Sequence, residues 1–174
     1  MKVAKFGGSS VANAEQLQKV ANIIQDDKER KVIVVSAPGK RFSDDIKVTD
    51  LLIELGEAYF NKQDYQGKLQ IVLDRFHEIT KELNITDKII QEIKDGVEGI
   101  LASDDSDALK MDALKATGED SLAKVLSAYL QSLGLKATYL NPGEAGILVS
   151  DNPGSAQILD ESYNQLYKLR ERDE

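Results

Sequence analysis

Met1-Lys-Val-Ala-Lys-Phe-Gly-Gly-Ser-Ser-Val11 reads as a short strand that breaks at paired glycines and passes into a helix through two hydroxyl residues. Glycine reaches backbone conformations closed to other residues and lets a ligand approach the main chain. A helix that begins just beyond such a break offers unpaired N–H groups and the positive end of its dipole, and both attract an anion. Lys5, beside the glycines, adds a full positive charge. The local reading of Lys5, Gly7 and Gly8 is a phosphate cradle. In a P-loop the lysine follows the glycines as GxxxxGK[ST]; here it precedes them, and there is no GxGxxG.

The next 25 residues decide the fold class. Leu17, Val20, Ala21 and Ile24 recur at i, i+3, i+4 and i+7, which predicts a helix over 13–26 with one buried stripe. Val32-Ile-Val-Val-Ser36 is a continuous β-branched run of the kind found in strands buried on both faces. Strand, helix and strand in succession make a βαβ unit, hence a parallel pair and an α/β fold. Parallel strands deliver their C-terminal ends to one sheet edge, where open α/β sheets bind ligands. Lys5, Gly7, Gly8 and Ser36 are expected to meet there.

Ser36-Ala-Pro-Gly39 is a turn, and a polar loop leads to a helix marked by Val48, Leu51, Leu52 and Leu55. Thr49 and Asp50 fall near its start, where side-chain oxygens and free N–H groups hold polar ligands. Over residues 64–116 apolar positions keep helical spacing with no β-rich run, which reads as a helical insertion beside the sheet. Ser103-Asp-Asp-Ser-Asp107 is a polar break with capping residues. Gly118-Glu119 is expected to precede a separate helix, stopped by Gly134. Residues 135–140 and 147–150 read as strands. A last helix carries Ile158, Tyr163, Leu166, Tyr167 and Leu169 into a charged tail. His77, between apolar positions, reads as a partly buried structural residue.

Composition narrows the function. At 174 residues the chain suits one domain with a real core. No apolar run approaches the roughly 18–20 residues of a membrane span, and the N-terminus lacks a signal-peptide layout. The absence of cysteine leaves no disulfide or thiol chemistry and fits a cytoplasmic setting. A single histidine and no cysteine argue against a transition-metal site. Net charge of −8, with no basic concentration, argues against a nucleic-acid partner and limits any bound phosphate to a small one.

Lys5-Phe-Gly-Gly-Ser-Ser-Val11 resembles the opening motif of the aspartokinases, in the amino-acid kinase superfamily. Ser36-Ala-Pro-Gly-Lys-Arg41 with Lys47-Val-Thr-Asp-Leu-Leu52 resembles the second motif, and Gly118-Glu119 the third, in the family's order. The resemblance implies a three-layer αβα fold with a mainly parallel sheet, incomplete here. Residues 1–174 would be the N-terminal, aspartate-binding lobe of the kinase domain, with the nucleotide lobe and regulatory domains absent. The implied activity is ATP-dependent phosphorylation of the L-aspartate side-chain carboxylate to 4-phospho-L-aspartate, which opens lysine, threonine and methionine biosynthesis.

By the same resemblance Lys5 is the catalytic cation, and Lys5, Gly7, Gly8 and Ser9 hold the ATP phosphates. Ser36, Thr49 and Glu119 bind aspartate. Mg²⁺ arrives with the nucleotide, with no metal site of the chain's own, and the parent is a homo-oligomer. A chain that stops on a helix reads as a fragment, expected to be inactive or nearly so. Taken alone, Thr49 and Glu119 could each be an ordinary first-turn helix residue. Lys40 and Arg41 could be phosphate-side or solvent-facing. Rival readings are a non-catalytic anion-binding module, or an amino-acid kinase acting on glutamate, acetylglutamate or uridylate.

Overall fold

A computed structural model describes residues 1–168. Leu169 and the charged tail of the last predicted helix lie outside the described residues. β1 (Lys2–Phe6) and β2 (Arg30–Val35) form a parallel two-stranded sheet joined by α1 (Ala14–Gln25), as a βαβ unit requires. Between the glycines and α1 lies a single 3₁₀ segment, Gly8–Val11. The α-helix itself starts later, where Asn13 Oδ1 accepts from Gln16 N–H at 3.0 Å. The helix dipole therefore begins at Asn13 and not at the glycine break.

Four longer helices come after β2: α2 (Val48–Phe60), α3 (Tyr65–Glu82), α4 (Lys88–Ala102) and α5 (Asp107–Ser132). α2 packs against α3 and α5, and α4 closes against α3 and α5. Their apolar stripes merge into one core that includes Leu17, Leu52, Leu55, Phe76, Leu114 and Leu122, all fully buried. Burying a side chain of that size contributes about 1.5–3 kcal/mol. Ser106 caps α5 by accepting from Leu109 N–H, so the polar break at 103–107 is where the sequence puts it.

The sequence and the structure part in several places. α5 runs unbroken through Gly118, because that glycine packs against a neighbour while the helix continues around it. Residues 135–140 form no regular element and no ladder with either strand among the described residues, and a strand without a ladder is not a strand. Of residues 147–150 only Val149 bridges, antiparallel to Ile158, so Ile158 precedes the last helix, α6 (Glu161–Lys168). His77 is exposed, its Nδ1 3.5 Å from Asp87 Oδ1.

β2 is covered on one face only. Phe6, Ile33 and Val35 pack on the core, whereas Val3, Val32 and Val34 on the other face are 65%, 42% and 45% exposed. The sheet thus has one of the two helical layers of an αβα sandwich, an incomplete form of that fold. Among the described residues no helix is long and apolar enough to cross a membrane.

Gly134 ends α5 with φ +80°, its N–H bonded to Gln131 O at 2.9 Å and Leu135 N–H to Leu130 O at 3.1 Å. An L side chain there meets the left-handed penalty. Gly134→Ala is expected to lower stability by about 1–2 kcal/mol, read as a shift in the urea midpoint at constant slope.

Candidate functional site

The loop 36–39 is the point on which three other segments converge. Lys5 pairs with Val34 and Phe6 with Val35, so both strands finish at one edge, and Ser36 N–H extends the ladder to Phe6 O at 3.1 Å. Just beyond it the two loops touch main chain to main chain, with Gly39 N–H donating to Gly8 O at 2.9 Å. A Cβ on Gly39 would lie 2.6 Å from the Gly8 carbonyl carbon, and one on Gly8 would lie 3.2 Å from Ala37 O. At Gly39 only a glycine allows this approach, and at Gly8 a side chain would fit only if the neighbouring loop gave way slightly.

Two helices reach the same loop. Val48 N–H donates to Pro38 O at 3.0 Å, which fixes the first turn of α2 and with it Thr49. On α5, a Cβ at Gly118 would fall 2.7 Å from Ala37 Cβ and 3.6 Å from Val48 Cγ1. The missing side chain lets the middle of α5 lie against the loop, and it brings Glu119 there from mid-helix. Glu119 is therefore not a first-turn acid held by a dipole.

Gly7, Gly8, Ser9, Ser36, Thr49 and Glu119 thus stand on elements that meet around Ala37. Lys5 stands apart. Alternation along β1 places it with Val3 on the uncovered face, opposite the helices that carry Thr49 and Glu119. The side chains of Lys5, Ser9, Ser36, Thr49 and Glu119 have no hydrogen bond or ion pair among the described residues. Their polar atoms are free for a ligand. The described residues contain no cluster of His, Cys, Asp and Glu able to hold a metal ion.

Beneath this edge lies a charge network that sequence patterns did not single out. Arg75, on α3, is 4% exposed, and Asp45, in the loop before α2, is 8% exposed. Arg75 Nη1 donates to Asp45 Oδ2 at 2.7 Å and to Ile46 O at 3.1 Å; Nη2 donates to Gly39 O at 3.0 Å and Ala12 O at 3.5 Å. Arg75 Nε is buried with no partner among the described residues. Asp45 also accepts from the Arg41 backbone N–H, Nε and Nη2 at 2.8, 2.8 and 2.9 Å, while Arg41 Nη1 reaches Glu78. Arg41 is thereby a structural clamp on its own loop, and Lys40 bonds Ser43 O at 3.2 Å.

The Arg41 hydrogen bonds, reinforced by Arg75, hold the Asp45 carboxyl well below the usual carboxylate range. Burial pulls the Arg75 guanidinium down from its ordinary value. A signal was available: Arg75 falls three residues after Val72 and four before Ile79, on the apolar stripe of α3, where a charge demands a partner.

Next to Glu119, Asp120 accepts from the Tyr139 hydroxyl and pairs with Lys124 at 2.8 Å; Asn141 Nδ2 donates to Tyr139 Oη at 3.2 Å. Burial, and then the bond to Asp120, pushes the Tyr139 phenol up to about 12. This cluster ties the segment 135–141 to α5.

A family model described as the amino acid kinase family matches residues 1–174. Aspartokinase 3 of Bacillus subtilis is 47% identical over 174 residues, 99% of this chain and 38% of that protein. Chloroplastic aspartokinase 2 of Arabidopsis thaliana is 30% identical over 168 residues, 95% of this chain and 31% of that protein. The solved aspartate kinase of Clostridium acetobutylicum superposes with a TM-score of 0.65 at 35% identity, over 74% of this chain and 29% of that one. E. coli aspartokinase III, solved with lysine and aspartate, shares the fold with a TM-score of 0.78 at 24% identity, over 97% of this chain and 37% of that one. The chain spans well under half the length of the curated relatives it matches.

Because the folded-state pKa of Asp45 is depressed, its contribution is present above the ordinary aspartate value of 3.8 and is lost as pH falls below it. Asp45→Asn is expected to cost about 3 kcal/mol at pH 7 by leaving Arg75 buried without its counter-ion. It should also flatten the fall in stability below pH 4. Urea unfolding at pH 7 and at pH 3 measures both effects, and a parallel acid limb in the variant would refute the assignment.

Proposed function

Since the chain belongs to the amino acid kinase family, we propose that it is the aspartate-binding part of a cytoplasmic, homo-oligomeric aspartate kinase. That enzyme transfers the γ-phosphoryl group of ATP to the side-chain carboxylate of L-aspartate and releases ADP and 4-phospho-L-aspartate. The observation that carries this reading is the convergence of the elements bearing Ser36, Thr49 and Glu119 on Ala37, beside a glycine loop, with their polar side chains free. The 47% identity to an aspartokinase along nearly the whole chain supports the choice of substrate. So do the ligands aspartate and ADP in another E. coli aspartokinase III structure of the same fold.

The residues suit the chemistry. An aspartate side chain is already ionised at neutral pH, so the nucleophile needs no general base, and the site has only to position and to stabilise charge. Glu119 pairs with the substrate ammonium, while Ser36 and Thr49 offer hydroxyls to its carboxylates. The main chain at Gly7, Gly8 and Ser9 receives phosphate oxygens, and Lys5 meets charge on the transferring group from the other face of the sheet. Mg²⁺ travels with ATP and supplies charge neutralisation between its phosphates.

Because the chain spans 38% of the length of its Bacillus relative, turnover belongs in this reading to a protein of that length. This chain alone is expected to bind L-aspartate and to turn over little. Calorimetric titration tests the first point. Glu119→Gln should weaken aspartate binding by about tenfold or more, roughly 1.4 kcal/mol, and absence of binding to the unaltered chain would sink the proposal. In a protein of the relative's length, Lys5→Ala should keep aspartate binding and lose turnover on the order of 10²–10³-fold. No turnover in the unaltered protein, with anion binding that Lys5→Ala abolishes, would point to a binding module.

A further inference from the structure

We infer that Arg75 is a positioning residue that sets the mutual placement of the three segments forming the site edge. One guanidinium touches all three. It takes Ala12 O at the end of the glycine segment, Gly39 O at the end of the Ser36 loop, and Ile46 O with Asp45 just before the Thr49 turn. Every candidate ligand group of those segments lies within six residues of one of these contacts: Gly7, Gly8 and Ser9 before Ala12, Ser36 before Gly39, Thr49 after Ile46.

The geometry favours this role over a general structural one. The planar fork of arginine presents several donors in fixed directions, so satisfying them constrains the acceptors relative to one another. Three of the acceptors are main-chain carbonyls on separate segments, which a salt bridge made only for stability would not require. Asp45 is already held by three donors of Arg41, so neutralising Asp45 does not by itself call for Arg75. Arg75 touches no ligand group directly. It acts through Gly39, whose N–H is bonded to Gly8 O, and through the turn before Val48, whose N–H is bonded to Pro38 O.

The relevance to substrate rests on the kinase reading; the clamp itself does not. The test is amide hydrogen exchange on this 174-residue chain, comparing Arg75→Met with Val97→Ala. Val97 is fully buried on α4, away from these loops, and its truncation serves as a control for general destabilisation. After correction for global stability, the Gly39 and Val48 amides of Arg75→Met should exchange at least about tenfold faster than those of Val97→Ala. Equal exchange in the two variants overturns the inference.

Should Arg75→Met not fold, Arg75→Lys replaces it, keeping the charge opposite Asp45 without the fork. Selective loss of protection at the same two amides then supports the clamp, and wild-type protection at both overturns it. L-Aspartate added to the unaltered chain in the same experiment reports separately on the kinase reading. If it leaves the exchange of the site loops unchanged, that reading fails while the comparison of variants still decides the role of Arg75.

Discussion

A guanidinium buried in a protein core has to be paid for with hydrogen bonds, and that requirement shapes the edge at which the two strands of this molecule end. Isolating a charge from water costs several kcal/mol unless its donors are met. The acceptors available to Arg75 are an aspartate and the carbonyls of loops that would otherwise bury polar groups without partners. Satisfying both needs at once leaves little freedom. The loop after β2 cannot lift without stranding Gly39 O, and the entry to α2 cannot shift without stranding Ile46 O.

Close approach is the second constraint. Gly8 and Gly39 meet through their backbones, and Gly118 admits Ala37 into the side of α5. The glycines serve opposite local purposes. At Gly8 and Gly39 the absence of a side chain joins two turns, and at Gly118 it lets a long helix keep its hydrogen bonds while a loop rests on it. The long uninterrupted α5 then carries Asp120, which holds the segment 135–141 through Tyr139 and Asn141.

Much of this could be read from residues alone. The βαβ unit, the start of α2 at Val48, the cap at Ser106 and the stop at Gly134 rest on local signals: periodicity, a capping hydroxyl, a left-handed glycine. What failed depends on partners distant in sequence. Gly118 looks like a helix boundary until the contact with Ala37 is known. Residues 135–140 have strand composition but no neighbour to pair with, and Val32 and Val34 look doubly buried although only one face of the sheet is covered. His77 shares a helix with buried residues yet turns to solvent beside Asp87. The candidate ligand residues came from motif order, and their spatial grouping around Ala37 came from glycine contacts that no spacing rule supplies. Arg75 was visible as a charge on an apolar stripe, but its three loop partners were not.

With only two strands among the described residues, each strand is an edge, and each keeps a row of unpaired main-chain groups. Exposed edges of this kind recruit other strands unless charge on them discourages it. Lys2, Lys5, Arg30 and Lys31 lie on these two strands around the exposed valines. The lysine that serves as the phosphate cation in the kinase reading is therefore also one of the charges set around these exposed valines. A drop in yield or the appearance of higher oligomers on substituting Lys5 would reflect the loss of that charge, separate from any effect on chemistry.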